Sequence, residues 1–173
     1  MKSTLENLKR IKVDALYGKK KHFNAADRVQ GYHYWLGIPL ILINILTGSV
    51  LLYVLTEGST DWVKYVPLGL ALLAALLGGL QTFFNFSKKV DAHRRLGNRY
   101  LAIMKRCDRI NGYVNDEVIQ KNDLILQVEE IAGAIDNINQ DAEAFPTSAA
   151  DFEKSREGVQ DGEENYTKSE LEL

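Results

Sequence analysis

A single cysteine, Cys107, in a chain of 173 residues excludes an internal disulfide and any site built on paired thiolates. The three histidines, His22, His33 and His93, are scattered, so no metal-ligand spacing is present either. No glycine-rich loop opens a helix to cradle phosphate, and there is no strained serine elbow. Catalysis needs a convergent set of groups. None is visible, so no catalytic residue, cofactor or metal site is expected, and the chain reads as a non-enzyme.

Charge is missing in a more informative way. No Asp, Glu, Lys or Arg occurs between Arg28 and Glu57, nor between Lys64 and Lys88. Each gap contains a run long enough to cross a hydrocarbon core, which takes about 20 apolar residues at 1.5 Å of rise each. The overall mean hydropathy of -0.19 hides this, because the remainder of the chain is very polar. The first run is preceded by an amphipathic segment and followed by no small-x-small cleavage site, so it is expected to be retained rather than removed as a signal peptide. A coupled transporter is disfavoured, since proton or ion coupling needs ionisable groups at depth.

The charges that are present sort by position. Residues 1–33 carry eight Lys and Arg against three acids, the connector "EGSTDWVK" one against two, and residues 88–110 eight against two. Basic flanks stay in the cytoplasm, which places both termini inside and the connector outside. Residues 111–173 hold four basic and sixteen acidic residues, so the net charge of -2 is the sum of a basic membrane-proximal layer and an acidic end. That acidity argues against direct nucleic-acid binding.

These features predict an all-α membrane protein, a two-transmembrane helical hairpin with cytoplasmic helical extensions. The two-transmembrane domain spans 1–145. It contains an amphipathic helix over 3–17, a first span over 34–56, an outer connector over 57–64, a second span over 65–87, and cytoplasmic helices over 88–114 and 117–145. Residues 146–173 read as an acidic flexible tail. Gly18 looks like a helix stop and Asn24 like the cap of the next helix. Tyr32, Tyr34 and Trp35 form an inner aromatic belt, Trp62 and Tyr65 an outer one, and Pro67 suits the first turn of the second span. With no proline between Phe86 and Pro146, the second span is expected to continue as one helix into the cytoplasm.

Three apolar seams recur at steps of three and four. They are Leu5, Leu8, Ile11 and Ala15; Leu96, Tyr100, Ile103, Cys107, Ile110 and Val114; and Leu124, Val128, Ile131, Ile135, Ile138, Ala142 and Phe145. Such coiled-coil-like seams require partners. Pairing within one chain and pairing between copies are both open at this level.

Two groups of residues are candidates for function. Asn44, Thr47, Gly48, Ala71, Ala74, Ala75, Gly78, Gln81, Thr82 and Asn85 are small or polar residues of the spans, suited to close helix packing or to the wet lining of an oligomeric pore. Lys88, Lys89, His93, Arg94, Arg95 and Arg99 form a basic cluster suited to anionic lipid or a phosphorylated signal.

The stretches "AADRVQGYHYWLGIP", "GGLQTFFNF" and "GNRY", with the short amphipathic helix before them, resemble the SLATT family of two-transmembrane effectors of prokaryotic conflict systems, most of all the subfamily encoded beside reverse transcriptases. The resemblance implies an inner-membrane, multi-pass effector of antiviral defence that forms homo-oligomeric pores or disrupts the bilayer when activated. It also implies a partner such as a reverse transcriptase or a nucleotidyltransferase, and it transfers no catalytic residues. The alternative reading is a membrane-tethered module whose cytoplasmic helices recruit a partner.

Overall fold

The structure, a computed structural model, describes residues 2–57 and 62–163. Among them all regular structure is helical: α1 (Lys2–Glu57), a short 3-10 turn (Val63–Tyr65), α2 (Val66–Phe84), α3 (Phe86–Asn115), α4 (Lys121–Glu143) and α5 (Ala149–Gln160). The chain divides into two compact units, residues 1–26 with 91–173, and residues 27–90. Residues 58–61 of the expected connector lie outside the described residues.

In the first unit the three seams close on one another. Leu8, Ala15, Leu96, Tyr100, Ile103, Met104, Cys107, Ile110, Leu124, Val128, Ile131, Ile135 and Ile138 form one buried cluster, with Leu5, Ile11, Val114, Ala142 and Phe145 packed against it. Each large aliphatic side chain so buried contributes roughly 1.5–3 kcal/mol. The rim carries Lys12 on Asp108 at 2.5 Å, Arg99 on Asp141, and Arg106 held by both oxygens of Glu130 at 2.6 and 3.0 Å. Exposed pairs of this kind contribute about 0–1 kcal/mol each, so the aliphatic seams hold the unit together.

Four local expectations fail. Gly18 does not stop α1, which runs on to Glu57. The ring of Tyr100 packs against the glycine, and a Cβ there would lie 2.7 Å from Tyr100 Cδ1. A glycine inside a helix costs about 0.5–1 kcal/mol, less than burial of a tyrosine ring contributes. Asn24 caps nothing, being itself inside α1.

The second span does not run on as a single helix. Asn85 adopts φ 46°, ψ 51° and separates α2 from α3, because asparagine is among the few residues that tolerate the left-handed region. The helix expected from 117 starts at Lys121 instead. Glu117 is left-handed at φ 57°, with Val118 N–H donating to Tyr113 O and Glu117 N–H to Val114 O. That is a Schellman end of the kind glycine usually supplies.

The expected flexible tail is also corrected. Residues 149–160 form α5, started by a capping box in which Ser148 Oγ accepts from Asp151 N–H and Ser148 N–H donates to Asp151 Oδ2.

Candidate functional site

The second unit is the hairpin. Its outward face is aliphatic: Ile38, Ile45, Leu52, Leu55, Leu72 and Leu76 are all more than half exposed. An exposed apolar surface of that extent belongs in lipid, where a helix satisfies its own backbone. Both helices are long and apolar enough to cross a membrane. Between the helices, Gln81 Nε2 lies 3.5 Å from His33 Nδ1, the side of Gly37 faces Gln81, and that of Gly78 faces Leu40 at 3.8 Å. Contacts that descend along α2 as they ascend along α1 make the two helices antiparallel neighbours. Pro67 sits in the first turn of α2, as its missing donor favours.

The polar and small candidates divide. Ala74 is buried, and Gly78 and Gln81 are half-buried at the helix contact. Thr47 Oγ1 donates to Ile43 O at 2.7 Å and Thr82 Oγ1 to Gly78 O at 3.0 Å, so both hydroxyls are satisfied by their own helix. Asn44, Gly48, Ala71, Ala75 and Thr82 are exposed, with nothing within 4 Å of the side of Gly48. The hairpin therefore leaves part of its small, polar surface uncovered. Asn85 is exposed and serves as the helix break.

The basic cluster divides too. Lys88 and Lys89 are exposed in the hairpin unit, and Arg94 and Arg95 are exposed in the other. Arg99 pairs with Asp141 on α4. His93 is only 4% exposed, so it is no surface contact for lipid or signal. Its Nδ1 lies 3.0 Å from Nδ1 of His22, 71 positions away in sequence. One ring donates its N–H and the other accepts. The His22 ring also stacks on Tyr100, whose hydroxyl donates to Asn139 Oδ1 at 2.6 Å, and His93 packs edge-on to Phe145. No sequence signal announces this pair.

Burial, then the neighbouring His93 and Lys21, lower the pKa of His22 to about 4, against a partial opposing pull from Asp151. The unfolded chain, with an ordinary value near 6.5, takes up this proton first. The stability that depends on His22 staying neutral is thus complete above pH 6.5 and lost as pH falls towards 4. Denaturation midpoints measured from pH 7 to pH 4 are expected to fall accordingly, and His22→Gln flattens that part of the profile. Burial likewise pushes the Cys107 thiol up to about 11, which leaves it protonated and unreactive.

The other association that sequence reasoning missed is that of α5 with α1. Asn24 Nδ2 donates to Asp151 O and to Ser155 Oγ, both at 3.1 Å, while Ser155 Oγ donates to Asp151 O at 2.7 Å. Tyr17 stacks on Phe152 at 5.8 Å, and Lys20 pairs with Glu163. The Ser-Ala-Ala-Asp capping box at 148–151 was the available signal.

The family model of the SMODS and SLOG-associating 2TM effector domain, family 4, matches residues 5–172. The match runs past residue 145, where the sequence had suggested the domain ends, and takes in α5. No curated protein and no solved structure matches the chain.

Proposed function

The chain belongs to the family of SMODS and SLOG-associating two-transmembrane effector domains, and from that premise we propose that this membrane effector acts by assembling several hairpins into a pore, or a comparable lesion, in the inner membrane. One hairpin cannot enclose water, so copies must associate. The observation that carries the reading is the uncovered small and polar residues Asn44, Gly48, Ala71, Ala75 and Thr82 on a pair of helices whose exposed side chains are otherwise mostly large and apolar. Small faces allow close backbone approach where lipid provides no hydrophobic drive between helices.

In this reading both termini are cytoplasmic, as the basic flanks favour, and the action needs no catalytic group. A lining without charge discriminates poorly among ions. The trigger is supplied by a partner of the defence system, a nucleotidyltransferase or reverse transcriptase, acting on the cytoplasmic helices. The three seams are covered within the chain, so association runs through other surfaces than those.

The test is to express the protein with its partner system and follow membrane potential and entry of an impermeant dye. Depolarisation and dye entry on activation are expected. Membranes that stay tight during full activation refute the pore. Retention of toxicity after both spans are exchanged for an unrelated hairpin indicates a tethered recruiting module instead.

A further inference from the structure

Helix α5 is held differently from its neighbours. The buried face of α4 is Leu124, Val128, Ile131, Ile135 and Ile138, whereas that of α5 is Asp151, Ser155 and Gly158. A helix that buries no aliphatic side chain gains little from leaving water. What keeps α5 on α1 is directional: the two bonds from Asn24, the Tyr17–Phe152 stack and the Lys20–Glu163 pair. Charge adds to the fit. Lys19 and Lys20 are each only 8% exposed, while residues 149–163 carry five acids against Lys154 and Arg156. The connector from Glu143 to Ala149 contains Pro146, which keeps the segment from extending α4 and leaves it as a short hinge.

We propose that α5 is an exchangeable strap: its seat at Tyr17, Lys20 and Asn24 accepts the α5 of a second copy of this chain, and the exchange links protomers. This deepens the oligomer reading above and rests on it. The occupant follows from the fit. A second copy brings the same helix with the same capping box, hydrogen bonds and charges, so every contact described is conserved on exchange. Confinement of the copies to one bilayer raises their effective concentration, which offsets the freedom lost on pairing. The aliphatic seams cannot serve this purpose while they are closed within the chain.

The experiment uses two full-length chains carrying different tags and expressed together, one with Tyr17→Cys and the other with Phe152→Cys. Isolated membranes are treated with a short bis-maleimide. Cys107 is buried and protonated, so it does not compete. A covalent product carrying both tags is expected, reduced severalfold when Asn24→Ala is added to the first chain. A single chain with both cysteines cross-links in either arrangement and shows that the pair is within reach; Lys20→Cys with Glu163→Cys repeats the measurement if the aromatic replacements misfold. Closure of the doubly substituted chain on itself, with no mixed-tag product, means that α5 is a fixed intramolecular element and overturns the proposal. The readout does not depend on leakage. Mixed-tag product with tight membranes removes the pore alone, and leakage without mixed-tag product removes the exchange alone.

Discussion

Ile131→Asp is expected to unfold the bundle of α1, α3 and α4. Ile131 is 0% exposed at the centre of the α4 seam. Removing a buried Ile side chain costs about 2–5 kcal/mol, and burying a carboxylate without a partner adds several more. The total approaches the roughly 5–15 kcal/mol by which a whole domain is stable. Circular dichroism of the detergent-solubilised protein should show the loss as reduced helicity and a missing cooperative transition, and trypsin should cut at the many Lys and Arg of α3. Ile131→Val, which costs about 0.5–1.5 kcal/mol, should keep the transition.

The second large effect is expected in the hairpin. Ile45 and Leu76 are each 60% exposed near the middles of the two apolar helices, where lipid is their environment. An arginine at the centre of a span costs about 2.5–3.5 kcal/mol on insertion scales, so Ile45→Arg with Leu76→Arg removes on the order of 6 kcal/mol of insertion free energy. The doubly substituted protein should disappear from the membrane fraction and lose all effect on membrane potential, while Ile45→Leu with Leu76→Ile should behave as wild type. Full retention in membranes would show that these faces do not meet lipid, and with it the hairpin assignment would fail.

The residues that could be placed from sequence are those whose signal is local and repeated. Leu96 to Val114 and Leu124 to Phe145 recur at helical spacing, and all of them reach the same cluster or its edge. The two charge-free runs are legible for the same reason, since a bilayer imposes one length and one composition.

What was not legible depends on single residues overruled by packing. Gly18 carries the signature of a helix stop, yet the ring of Tyr100, 82 positions later, needs the absent side chain. Asn85 and Glu117 break helices without glycine or proline, at preferences of a kcal/mol or so that tertiary contacts decide. The α5 helix escaped because hydropathy periodicity reports only apolar faces, and its buried face is Asp151, Ser155 and Gly158. The His22–His93 pair is a meeting of two distant helices, for which one sequence holds no record.

The salt bridges on the rim of the bundle add little strength, but their spacing has a use. Arg99 meets Asp141 and Arg106 meets Glu130, two rungs between antiparallel helices whose aliphatic stripes look much alike from one heptad to the next. Sliding α4 by seven residues leaves hydrocarbon facing hydrocarbon, yet one way it sets Arg99 against Ala134 and loses one rung, and the other way it sets Arg106 against Asn137, carries Arg99 past the end of α4 and loses both. The charges thus act as an alignment mark, making a single sliding position of the two helices preferable to its near-equivalents.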